Sequence, residues 1–177
     1  RGGTSCVGRE SRSGRELYYS INYEKANENE FSLKPKKQEI ISVKNQDKEK
    51  TILVVDDIRE NRDLIVQLLG FYGFKTLEAN SGLMALSLFE KQNENEKIDL
   101  IFMDILMEEL DGLETIKIIR KKQINSNIPI IALSANVFEE DKKQAIKSGA
   151  NDFLPKPVEE NEILQILEKY LNIEFEY

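Results

Sequence analysis

The sequence has no histidine and a single cysteine, Cys6. Those shortages exclude a disulfide framework, a His/Cys zinc site and any histidine-based triad within this chain. Long apolar stretches are missing as well. No run reaches eighteen apolar residues, and the first thirty residues lack the apolar core of a signal peptide, so no segment is read as spanning or targeting a membrane.

What is present suits one α/β core with extra polar sequence: 177 residues, of which 40% are hydrophobic and 32% charged. Charge is unevenly spread. Residues 1–50 carry eleven basic and eight acidic side chains, a net +3, whereas residues 51–177 carry fourteen and twenty-four, a net −10. An acidic body of this kind repels phosphate backbones and is not expected to bind nucleic acid. The opening Arg1-Gly2-Gly3, without a methionine, reads as the start of a piece cut from something longer.

Residues 24–50 are rich in Lys, Asn and Glu and poor in aromatics, which predicts a linker unable to bury enough surface to fold alone. Before it, Leu17, Tyr19, Ile21 and Tyr23 alternate as in a half-buried strand that has lost its sheet or borrows one. After Lys50 the pattern turns regular. Thr51-Ile52-Leu53-Val54-Val55 reads as a central parallel strand buried on both faces, followed by a helix carrying Ile58, Leu64, Ile65, Leu68, Leu69 and Tyr72 up to Gly73. Four more such units follow, with strands expected at 74–79, 98–103, 128–133 and 152–154 and helices at 81–91, 112–120, 136–147 and 159–171. Five βα units in succession predict a doubly wound, five-stranded parallel sheet with five helices on its two faces.

In such a sheet, the residues at the carboxyl ends of the strands line one crevice. Here those ends carry Asp56-Asp57, Asp104, Ser134 and Lys156-Pro157. Each taken singly has an ordinary structural explanation: an aspartate or serine after a strand often caps the next helix, and a lysine is usually a solvated surface charge. The set is different. Two carboxylates about 4 Å apart repel by roughly 4 kcal/mol at an effective dielectric of 20, and three make several such pairs. One lysine cannot balance that, whereas a divalent cation with oxygen ligands can. Carboxylates without histidine or thiolate point to Mg²⁺ or Mn²⁺. Three acids, Lys156 and the ion then sum to zero formal charge. A carboxylate in this setting can attack phosphorus to give an acyl phosphate, provided that the phosphoryl oxygens are neutralised and held in line.

The stretches VVDD (54–57), FMDILMEELDG (102–112), ALSAN (132–136) and DFLPKP (152–157) together resemble the receiver domains of two-component response regulators, over residues 51 to about 171. The resemblance implies the flavodoxin-like strand order 2-1-3-4-5. It implies Asp104 as phosphoacceptor, Asp56, Asp57 and Asp104 as Mg²⁺ ligands with the backbone carbonyl of Leu106, Ser134 as switch hydroxyl, Lys156 as phosphate-binding amine, Phe153 as switch aromatic and a cis Lys156–Pro157 peptide. Two positions depart from the family pattern. Glu108 stands where a proline is usual, and Phe153 lacks the hydroxyl of the more familiar tyrosine, so any inward rotation of this ring would be driven by packing alone.

Asn61-Arg62 and the run from 132 to 158 look most like receivers attached to hybrid sensor histidine kinases, and residues 13–23 resemble the closing strand of a kinase ATPase domain. On that reading residues 1–23 are a remnant of a preceding domain, 24–50 a linker and 51–177 a receiver expected to be cytoplasmic, with a membrane-anchored parent compatible with it. Phosphate would come from a phosphohistidine on another segment or molecule, with Ile58 and Asn61 as partner-facing candidates. With no effector expected after Tyr177, output is expected through a protein contact, a homodimer included. Two rival readings remain: a non-phosphorylated pseudo-receiver acting as a binding module, and an aspartate-nucleophile phosphatase. The latter typically needs a second acid where this chain has Leu106.

Overall fold

The structure is a computed structural model of the chain. It describes residues 4–12, 15–23, 42–43, 50–92, 97–122, 127–136, 138–173 and 175–176. Most of the linker expected at 24–50 lies outside these. Two units are present, residues 1–38 and 39–177.

In the first unit, β1 (Thr4–Arg12) and β2 (Arg15–Tyr23) form an antiparallel hairpin that pairs Thr4 with Tyr23 and Arg12 with Arg15. The alternation from Leu17 to Tyr23 foretold β2. Its partner β1 lies just upstream, where Gly8, Arg9 and Glu10 interrupt any apolar period.

The second unit contains the five expected βα repeats. They are β4 (Thr51–Val55), α1 (Arg59–Phe71), β5 (Lys75–Ala79), α2 (Gly82–Glu90), β6 (Leu100–Asp104), α3 (Gly112–Lys121), β7 (Ile130–Ser134), α4 (Glu139–Ser148), β8 (Asp152–Pro155) and α5 (Glu160–Leu171). The strands are parallel in the order β5-β4-β6-β7-β8, the flavodoxin-like order 2-1-3-4-5. Strand periodicity sorts the core into two layers. Ile52, Val54, Leu100, Phe102, Ile131 and Leu133 pack with Ile65 and Leu69 of α1 and Ile163 and Leu167 of α5. Their neighbours Leu53, Val55, Ile101, Met103, Ile130 and Ala132 pack with α2, α3 and α4. Burial on both faces is why these runs are continuously apolar.

Element ends depart from the sequence expectation by a few residues. Ile98 and Ile128 are buried but precede their strands, and α4 begins only after Phe138. Helix starts are set by local chemistry: Asp111 accepts from the Glu114 amide at 2.7 Å, and a Glu159/Glu162 capping box opens α5. After α5 the chain turns at Asn172 and runs into β9 (Phe175–Glu176), antiparallel to β3 (Ser42–Val43). Phe175 is buried edge-on to Tyr72, with ring centroids 5.8 Å apart. The Tyr72 hydroxyl donates to Glu160 at 2.8 Å, and burial together with that carboxylate pushes its pKa up to about 12. Among the described residues, no helix is long and apolar enough to cross a membrane.

The close fit of α3 against the end of β6 depends on Gly112, whose amide donates to the Ile105 carbonyl at 3.1 Å. A Cβ there would overlap the Asp104 carbonyl oxygen, whereas one at Gly70 in α1 would meet nothing within 4 Å. Gly112→Ala is therefore expected to lower unfolding free energy in urea by ~3 kcal/mol, with Gly70→Ala raising it by ~1 kcal/mol. Equal effects of the two changes would contradict this packing.

Candidate functional site

The strand order reverses between β4 and β6, and the crevice at that reversal carries Asp56 just beyond β4 and Asp104 at the end of β6. Both carboxylates are almost fully withdrawn from solvent, and Asp57 beside them is partly exposed. Asp56, Asp57 and Asp104 each offer an oxygen within 4.8 Å of the others.

Lys156 reaches this group from the end of β8. Its Nζ lies 2.6 Å from Asp56 Oδ2 and 2.9 Å from Asp104 Oδ2, with the side chain 17% exposed. The lysine is itself carried by the sheet, because its main-chain amide donates to the Ser134 carbonyl at 2.7 Å. The Lys156–Pro157 peptide is cis.

Backbone amides and one side-chain amide occupy further carboxylate oxygens. Ile58 N and Asn61 Nδ2 donate to Asp56 Oδ1 at 2.9 and 3.2 Å, and Leu106 N donates to Asp104 Oδ1 at 3.3 Å. Glu108 N, in the loop position where proline is the family habit, donates to Asp57 Oδ2 at 3.4 Å. A proline has no such hydrogen to give. Ser134 is fully buried, and its Oγ accepts from Asn136 N at 3.1 Å.

The remaining sequence candidates sit around this centre. Phe153 on β8 is half-buried against the layer under α2, α3 and α4. Leu106 and Ile58, which follow the acids closely in the chain, are 60% and 52% exposed. Asn61, expected to face a partner, spends one amide hydrogen on Asp56. Sequence reading did not single out Arg62 as a site residue. Its Nη1 donates to the Asp56 and Asp57 carbonyls at 2.7 and 3.4 Å, and its Nε lies 3.4 Å from Glu78 Oε2. A basic residue five and six positions after an acid pair carries no signal until the helix direction is known.

The donor set is hard oxygen only, carries three negative charges against one lysine, and is open on the Asp57 side. That chemistry fits Mg²⁺. Desolvation raises the Asp104 pKa above the ordinary carboxylate value, and Asp56 adds to the rise; Lys156 and the Leu106 amide oppose it. An acid raised in the folded state favours folding below its unfolded pKa and costs stability as pH climbs through the folded value. In a chelating buffer Asp104→Asn should therefore match wild type in stability below about pH 3.9 and exceed it at neutral pH. Urea unfolding across that range is the measurement, and a gap that narrows as pH rises would reverse the sign.

Sequence and structure comparisons converge on one family. The family described as "Response regulator receiver domain" matches residues 52–168. A hybrid signal transduction histidine kinase L from Dictyostelium discoideum is 35% identical over 122 residues, which make up 67% of this chain and 7% of that protein. Several transcriptional regulators are matched over less than half their length. Among solved structures, the receiver domain of sensor histidine kinase PA1611 from Pseudomonas aeruginosa, with magnesium coordinated in its active site cleft, is 31% identical with a TM-score of 0.64. That match covers 70% of this chain and 98% of the other. The Saccharomyces cerevisiae complex of the phosphotransfer protein Ypd1 with the Ssk1 receiver matches at 26% identity and a TM-score of 0.62, over 69% of this chain and 88% of that one. With its fold, its strand order and two thirds of its length accounted for in this way, the chain belongs to the receiver domains of two-component signal transduction.

Proposed function

We propose that this chain is a phosphorelay receiver in which Asp104 accepts a phosphoryl group from a phosphohistidine, with Mg²⁺ held by Asp56, Asp57, Asp104 and the Leu106 carbonyl. The observation that carries the reading is the ammonium of Lys156 shared between the buried Asp56 and Asp104 carboxylates, beside a third acid. Such a cluster is costly as a mere structural feature and suited to a site that receives an anion.

When bound, the Mg²⁺ ion supplies the positive charge that neutralises the phosphoryl oxygens and keeps them in line with the attacking atom. An Asp104 carboxylate oxygen forms a bond to phosphorus as the phosphorus–nitrogen bond of the donor breaks, and the electron pair leaves with the imidazole nitrogen. Lys156 stands ready to pair with the incoming oxygens. The Ser134 hydroxyl already accepts from Asn136 N, so its own hydrogen is available for a phosphoryl oxygen. Phosphorylation replaces a charge of −1 with one nearer −2, which redirects Lys156 and Ser134 and, through packing on β8, Phe153.

The likeness to a hybrid kinase and to the receivers of a sensor kinase and a phosphorelay supports a wider assignment. On it, residues 1–23 belong to a preceding kinase domain, 24–50 to a linker, and 51–177 to a cytoplasmic receiver that meets a histidine-bearing partner. Ile58, exposed beside the acid pair, and Asn61 form the docking edge. Incubation with Mg²⁺ and a small acyl-phosphate donor should add one phosphoryl mass to the chain, abolished by Asp104→Asn and by chelation. Lys156→Met should slow the gain by about a hundredfold. A chain that gains no mass from any donor, phosphohistidine included, would instead be a binding module.

A further inference from the structure

The turn from β4 into α1 has to hold two carboxylates in place without a conventional cap. Ile58 occupies the N-cap position and offers no side-chain acceptor. The carbonyls of Asp56 and Asp57 precede the helix, beyond the first main-chain bond of its ladder, from Arg62 N to the Ile58 carbonyl. Acceptors in so enclosed a place need donors. Arg62 provides them. Its side chain is 13% exposed, its Nη1 reaches both carbonyls, and Nε faces Glu78 at the end of β5. The guanidinium is a planar fork that one rotamer can hold across several acceptors, and its charge strengthens each bond.

Asp56 is consequently fixed from two directions by the first turns of α1. Its carbonyl is held by Arg62, and its carboxylate by Ile58 N and Asn61. Asp57 is held at its carbonyl by Arg62 and at its carboxylate by Glu108 N.

Resting on the receiver reading above, we infer that Arg62 is a positioning residue for the metal site, clamping the Asp56 and Asp57 main chain to α1 so that the two carboxylates keep the spacing a Mg²⁺ ion requires. Groups that orient metal ligands typically alter affinity by about tenfold to a hundredfold when removed.

The opposite effect is expected if Arg62 acts only through its charge. A guanidinium close to a cation site repels the cation, so its loss would tighten Mg²⁺ binding. Positioning and plain electrostatics therefore predict different signs. A purely structural role predicts a third outcome, a lower urea midpoint with unchanged affinity of the folded protein.

The test is calorimetric titration of Mg²⁺ into the full chain, alongside urea unfolding of the same variants. Arg62→Met should weaken Mg²⁺ binding at least tenfold, while Glu78→Gln, which removes only the outer ion pair, should stay within about twofold of wild type. Mg²⁺ binding by Arg62→Met that is equal to or tighter than wild type would overturn the inference and leave the receiver reading standing. Should Arg62→Met unfold at the assay temperature, Arg62→Lys decides. It keeps the charge but not the fork, so about tenfold weaker binding supports the clamp and unchanged binding overturns it. A wild-type chain that fails to bind Mg²⁺ would overturn both the clamp and the reading beneath it.

Discussion

One ammonium between two buried carboxylates sets the terms for this domain. Lys156 stands 2.6 Å from Asp56 and 2.9 Å from Asp104, and neither acid has appreciable access to water. Withdrawing two carboxylates from solvent costs several kcal/mol each after relaxation, and a single lysine offsets only part of that. The remaining imbalance is visible in Asp104, whose raised pKa records burial winning over its partner. A site left short of positive charge is one prepared to take it up, which is why a cation fits here better than a second lysine would.

Three strands must agree for that ammonium to arrive. Asp56 follows β4, Asp104 ends β6 and Lys156 follows β8, so the site needs β4, β6, β7 and β8 side by side in that order. The link from β8 is tied at its root, because the Lys156 amide bonds the Ser134 carbonyl as the parallel ladder between β7 and β8 reaches its end. Two-sided burial of β4, β6 and β7 fixes their register, since a slip of one residue would exchange the layer under α1 and α5 with that under α2, α3 and α4. Rigid strands thus hold charges that would otherwise move apart.

Much of this was legible in the sequence for the same physical reason. Strands buried on both faces are written as unbroken apolar runs, and an acid or lysine directly after such a run stands out against it, as Asp56, Asp104 and Lys156 do. The helices α1, α2, α3 and α5 fell near their expected bounds. Features that depend on a pairing partner or on packed helices were not legible. Nothing in Thr4 to Arg12 marks a strand until β2 is present to pair with it, and β3 and β9 are two residues each, below any periodic signal. The approach of Gly112 to the Asp104 carbonyl, and of Arg62 to the acid turn, likewise required the packed helices. Helix α4, expected from residue 136, starts only at Glu139, and the Asn136 amide is instead engaged by the Ser134 hydroxyl oxygen.

That engagement bears on how a change at Asp104 would travel. The Ser134 side chain is joined to the residue that leads toward α4, and its carbonyl to the lysine that bridges the acids. A new anion at Asp104 that drew on both Ser134 and Lys156 would therefore pull on the β7–α4 loop and on the end of β8 together. Phe153 lies on β8, half-buried under the same layer, and has no hydroxyl to anchor it in either an inward or an outward position. Its setting would then follow the space that the loop leaves, and any change passed to it would be a matter of volume and packing, with no hydrogen bond at the ring tip to hold it.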